Sequence, residues 1–220
     1  MARAKVSDSS TPPAPRTRSA KGEAARSAML AVAVRLLADG GYAGMTLAQV
    51  ANEAGYSDRL AQYYFETKLG LLSAVIDEVG AQRKTIDVLE ADTGRAAVDQ
   101  WVDNNFRFML KTPEHCRALH VIIVESVITV PELQDDVRRM GRGGLSVVRS
   151  ALTRGIKDGT VDAATDVGVA ALAIIALVRT THDDWFFNPG IDLKARRAAV
   201  ESLTDSLTKP RRRPAAPRRR

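Results

Sequence analysis

The chain has 220 residues, 45% of them apolar and 26% charged, which is enough for one or two domains with a sizeable core and excludes a wholly disordered polymer. Its single cysteine, Cys116, excludes a disulfide framework and any cysteine-based zinc site. The longest apolar run, Val167 to Val178, falls short of the roughly 20 residues that cross a bilayer, so no membrane partner is expected. The polar, Pro-rich N-terminus lacks the apolar stretch of a signal peptide and points to the cytoplasm.

The net charge is +6, but it is unevenly spread. Residues 1–22 carry +4 and residues 209–220 carry +7, leaving −5 for the stretch between them. An acidic body does not attract an anionic polymer by bulk charge and needs a shaped site to bind one.

In chain order, residues 1–22 hold Pro12, Pro13, Pro15 and few large apolar side chains, and are expected to form a disordered basic arm. Met29, Val32, Ala33, Leu36 and Leu37 then recur at helical spacing until Gly40 and Gly41 stop the helix. Thr46 with Gln49 reads as a capping box opening a short second helix with Leu47, Val50, Ala51 and Ala54 on its buried face, ended by Gly55. Ser57 caps a third segment, Asp58 to Tyr64, and Thr67 a long fourth with Leu71, Leu72, Val75, Ile76 and Val79. Pro113 and Pro131 suit first helical positions. Asp162 and Asp192 are expected caps of the last two helices, with a turn at Asn188-Pro189-Gly190 between them. No run alternates with period two, so the fold is expected to be all-α with about nine helices. The last residues, 209–220, interleave proline with arginine triplets and read as a disordered tail.

The pair of short helices joined by a Gly-containing turn, Thr46 to Tyr64, has the proportions of a helix-turn-helix, in which the second helix enters the major groove. The order Gly41-Tyr42, Thr46, Val50-Ala51, Ala54-Gly55-Tyr56-Ser57, Tyr63-Tyr64-Phe65, Lys68 and Leu71-Leu72 resembles the N-terminal domain of the tetracycline-repressor (TetR) family of transcriptional regulators. The resemblance implies a DNA-binding domain at 23–69, an effector-binding and dimerisation domain at 70–208, a double-stranded operator as partner, and no cofactor. The residues expected at the DNA are Thr46, Ser57, Asp58, Arg59, Gln62, Tyr63, Tyr64 and Lys68. Arg59 at the start of the third helix suits a bidentate contact to guanine, and Asp58 suits the helix dipole. Tyr63 and Tyr64 suit phosphate oxygens, as does Lys68 where a helix begins. The chain departs from the usual family pattern at Leu60, Ala61 and Gln62, where a small hydroxyl residue, leucine and tyrosine are common.

Residues 70–208 exceed what a DNA reader needs. The resemblance implies a homodimer through the last two helices, and the run Val167 to Val178 with the stripe Val200, Leu203 and Leu207 supplies apolar faces for it. Trp101, Phe106, Met109, His120, Glu125, Met140, His182, Trp185 and Phe186, with Phe108, are the large or adaptable residues expected around a small, largely apolar effector. Gly141, Gly143 and Gly144 are expected to kink a helix beside that pocket. Two other readings are open: a constitutive architectural DNA binder with a filled core, and a helical metal-dependent enzyme using His120, Glu125 and His182. No hydrolase, zinc-protease or dinucleotide motif is present, so an enzyme is not expected.

Overall fold

The structure, a computed structural model, describes residues 20–86 and 91–209. Among these are nine α-helices and no strand. They are α1 (Ala20–Gly40), α2 (Leu47–Glu53), α3 (Asp58–Phe65), α4 (Lys68–Ile86), α5 (Gly94–Lys111), α6 (Pro113–Ile128), α7 (Gln134–Lys157, entered through a 3-10 turn at Pro131–Leu133), α8 (Val167–Phe187) and α9 (Leu193–Thr208). The all-α expectation and the helix number hold. The first helix begins three residues inside the predicted arm; the rest of that arm, and the tail beyond Lys209, lie outside the described residues.

Most predicted caps are present. The Thr46 hydroxyl accepts from Gln49 N at 3.1 Å, Ser57 from Leu60 N at 3.4 Å, Thr67 from Gly70 N at 3.0 Å and Asp192 from Ala195 N at 3.0 Å. Two expectations need correcting. The Gln49 side chain donates forward to Glu53 at 3.0 Å, so the Thr46 cap is not a reciprocal box. The cap of α8 is Asp166, which accepts from Val169 N at 3.0 Å, whereas Asp162 closes the preceding turn onto Ala164 N.

Apolar side chains from α1 to α9 form one continuous core. Helix α1 packs on α2, α3 and α4 and also against α6, so the headpiece is seated on the larger bundle along α1 and α4. Within the bundle α5 is central, touching α4, α6, α7, α8 and α9. Its crossing with α7 is close: a Cβ on Gly94 would overlap the Gly155 backbone, and one on Gly155 would overlap the Val161 side chain. Helix α7 runs unbroken through Gly141, Gly143 and Gly144, without the interruption expected there. The Ser73 hydroxyl donates to Asp136 at 3.0 Å, tying the start of α7 to α4.

Candidate nucleic-acid interface

Sequence chemistry fixes the angle between α2 and α3. Gly55 sits at φ +78° immediately after the Ala54 C-cap. Tyr56 N donates to Ala51 O at 2.9 Å and Gly55 N to Asn52 O at 3.1 Å, the paired bonds of a Schellman motif, in which a residue with a side chain at the Gly55 position is strained. Tyr56 and Ser57 then lead into α3, which spans eight residues, about 12 Å, comparable with the width of the major groove.

The faces of α3 are cleanly divided. Ala61 and Phe65 are buried, and Leu60 and Tyr64 are half-buried against the core. Asp58, Arg59, Gln62 and Tyr63 are exposed, Tyr63 at 78%. A large aromatic side chain left in water beside a guanidinium and an amide, on a rigid short helix, is a surface for a partner rather than for folding. Leu60 and Ala61, which depart from the family pattern, both serve the interior. Thr46 and Ser57 are exposed and spend their hydroxyls on caps, at the helix ends where backbone N–H groups also point outward. Phe65 is further held by Arg26, whose guanidinium lies 5.8 Å from its ring centre.

Lys68 is placed differently from the sequence expectation. Its ammonium donates to the Tyr42 carbonyl at 2.6 Å and lies 3.7 Å from the centre of the Tyr42 ring. Burial pushes its pKa below the usual lysine value, opposed by the Glu125 carboxylate on α6. The cation therefore clamps the loop before α2 to the start of α4 and lies within electrostatic reach of α6. Tyr42 is the residue that sequence reasoning missed as the partner, and Glu125, predicted at the effector, belongs to this junction.

The α3–α4 turn is strained. Glu66 has φ 59° and ψ −52°, and Thr67 N donates to Phe65 O at 2.6 Å, which is the rarer, strained form of γ-turn. A constrained backbone beside the exposed helix fixes where α3 stands relative to α4.

The predicted effector residues are distributed between the core and its margin. Trp101, Phe106, Met109 and Trp185 are core side chains, and Met140, His182 and Phe186 are half-buried. Two surface hollows, of about 390 and 290 Å³, lie instead on α7. Arg149, Ser150, Thr153, Arg154 and Lys157 line the first; the second reaches Ala97 on α5; none of the nine lines either. Gly144 approaches Trp101, whose ring edge would lie 3.5 Å from a Cβ there.

His120 bridges α6 to α8. Its ring stacks on Phe186 with centres 4.0 Å apart, and its Nδ1 lies 3.4 Å from Asp183 Oδ1. Among the described residues no group of three or more His, Cys, Asp or Glu side chains is arranged to hold a metal ion. Burial lowers the His120 pKa from the ordinary 6.5, and Asp183 only partly opposes that. The unfolded chain therefore takes up this proton at a higher pH than the folded one, and the stability held above 6.5 is lost as pH falls through it. Urea melts are expected to show His120→Phe flattening that loss. An unchanged pH dependence would assign it elsewhere.

A short capped helix, exposed on one face and fixed by a glycine turn behind a bracing helix, has the geometry of a helix-turn-helix unit. Residues 29–75 match the family described as "Bacterial regulatory proteins, tetR family". The chain is 25% identical to the fatty acid metabolism regulator protein of Bacillus subtilis over 159 residues, 71% of this chain and 80% of that protein. Among solved structures, a TetR transcription regulator from Haloarcula marismortui superposes with a TM-score of 0.76 at 18% identity, covering 85% of this chain and all of that one. The transcriptional regulator FadR of Bacillus subtilis, in complex with stearoyl-CoA, superposes at 0.67 with 22% identity, covering 82% and 96%. At such identities the structures establish the shared fold. Residues 29–75 thus carry a tetR-type N-terminal domain, and the chain shares the overall fold of these regulators. No described helix is long and apolar enough to cross a membrane.

Proposed function

We propose that the protein is a homodimeric repressor that places two α3 helices in successive major grooves of a pseudopalindromic operator and is released by a small, largely apolar effector. The exposed face of α3 carries the DNA half of this reading: Asp58, Arg59, Gln62 and Tyr63 stand outward from a helix whose other face is sealed in the core. Thr46 and Ser57 present the helix ends to phosphates, and Tyr64 supports the adjoining backbone contact. Lys68 acts through the Tyr42 clamp rather than as a free phosphate ligand. The domain division at residue 69 follows the start of α4. The outer faces of α8 and α9 support the dimer, with Val169 and Leu172 more than half exposed.

For the effector, the support is the curated relative's role in fatty acid metabolism and the stearoyl-CoA bound by a structural neighbour. An effector with different affinities for two orientations of α4 shifts the spacing of the two α3 helices and thereby the affinity for the operator. The burial of Trp101, Phe106, Met109 and Trp185 favours a second reading, a constitutive DNA binder. A thermal-shift series with fatty acyl-CoA esters separates the two, because a constitutive binder gains no stability from any of them.

Selection of bound sequences from random duplex DNA tests the DNA half directly. An inverted repeat with half-sites about one helical turn apart is expected, and an asymmetric or absent motif overturns the reading. On the selected site, Arg59→Ala is expected to cost about 1–3 kcal/mol and to relax one position per half-site. Lys68→Ala is expected to weaken specific and scrambled DNA alike, with a lower melting temperature and an unchanged salt slope. A reduced slope would show that the ammonium neutralises a phosphate after all.

A further inference from the structure

Asn104 is the one buried side chain on α5 whose presence packing does not explain. It is 1% exposed, and neither its amide oxygen nor its amide nitrogen has a hydrogen-bond partner among the described residues. Exchanging oxygen and nitrogen changes nothing, since both lack partners. Its neighbour Asn105, equally buried, donates to the Trp101 carbonyl at 2.8 Å. Buried polar groups in native proteins are nearly always paired, and an unpaired amide forfeits the hydration of both a donor and an acceptor.

The position adds to this. At helical spacing Asn104 continues the face of Ala97 and Trp101 that meets α7, where Ala97 and Ala151 border one hollow and Gly144 approaches the Trp101 ring. Across that seam Gly144 faces Trp101, while Gly141 and Gly143 lie on the exposed side of the same stretch of α7, where a Cβ would meet nothing within 4 Å. These glycines are not there to avoid a clash. They lower the helix propensity of the stretch of α7 that passes Trp101, one helical turn from Asn104 on α5, and so make it easier to displace than a stretch of good helix formers.

We propose that Asn104 is the polar anchor of the effector site, which forms when the α5–α7 seam opens, and that the effector is an apolar molecule whose head group presents a hydrogen-bond donor and acceptor side by side, as in a carboxamide, lactam or protonated carboxylic acid. Two parallel hydrogen bonds then satisfy both ends of the Asn104 amide. An uncharged head group is required because the amide offers no charge to balance a buried ion. This rests on the reading of the larger domain as effector-responsive.

The test uses the full-length protein with two ligands of equal apolar length, octanamide, which donates and accepts, and methyl octanoate, which only accepts. Calorimetric titration is expected to give at least tenfold tighter binding of octanamide to the wild type. The ratio is expected to fall to near one in Asn104→Leu and in Asn104→Ala, the second variant carrying the test should the first fail to fold. Unliganded Asn104→Leu is expected to melt above the wild type, because it removes an unpaired amide while filling similar space. A wild-type ratio near one, or a preference that survives both substitutions, overturns the anchor while leaving effector control standing. If neither octyl compound binds but stearoyl-CoA does, the anchor alone falls. If none of the three binds, effector control falls with it.

Discussion

Gly70→Ala is expected to remove specific operator binding and to lower the stability of the headpiece by about 2–3 kcal/mol. A Cβ on Gly70 would overlap the Phe65 carbonyl oxygen, which is backbone and has no rotamer by which to yield. That oxygen already accepts from Thr67 N across the Glu66 turn, while the Thr67 hydroxyl caps α4 through Gly70 N. Relief therefore requires moving the end of α3 away from the start of α4. The exposed face of α3 then tilts relative to the bracing helix, and a displacement of even an ångström takes a bidentate Arg59 contact out of hydrogen-bond range. Gly80→Ala, on the same helix in open space, is the control. It is expected to hold or raise stability by up to about 1 kcal/mol, since alanine is the better helix former. Urea melts and fluorescence anisotropy on the selected site measure both. Wild-type affinity in Gly70→Ala would show that the turn does not position α3.

What made the headpiece legible is that its determinants are local. A hydroxyl three residues before the amide it caps, a glycine at the one left-handed position between α2 and α3, and apolar residues at three- and four-residue spacing all declare themselves within a dozen residues of sequence. The residues that escaped are defined by distant partners. Lys68 reads as a phosphate contact until Tyr42, 26 positions earlier, is seen to hold it. Val200 shows the same limit. By spacing it continues the apolar stripe of Leu203 and Leu207, but it is fully buried and faces inward with Thr204 and Thr208, leaving Leu203 and Leu207 half-buried. Trp101, Phe106, Met109 and Trp185 stand out in the sequence by size, and size alone does not separate a core side chain from a ligand contact. Asn104 has the opposite problem. In an amphipathic helix asparagines read as surface, and only burial with both amide atoms unpaired marks Asn104.

Leu172→Glu is expected to convert the protein to a monomer at micromolar concentration and to weaken operator binding by about 10² to 10⁴-fold, the loss that follows when two half-site readers are no longer linked. Val169, Leu172 and Ala176 form the exposed stripe on the first half of α8, with Val169 57% and Leu172 55% exposed. Ala195, Ala198, Ala199 and Ser202 give α9 an outer face of small side chains, over which a second helix pair can approach closely. In a twofold interface every substitution occurs twice, so one glutamate brings two like charges into an apolar seam while costing the isolated subunit little at a solvent-exposed position. Light scattering reads the mass and anisotropy the affinity, and a single half-site duplex is the control, because its binding depends on α3 alone and should be unchanged. A dimer that survives Leu172→Glu with full operator affinity would place the interface on another face of the bundle.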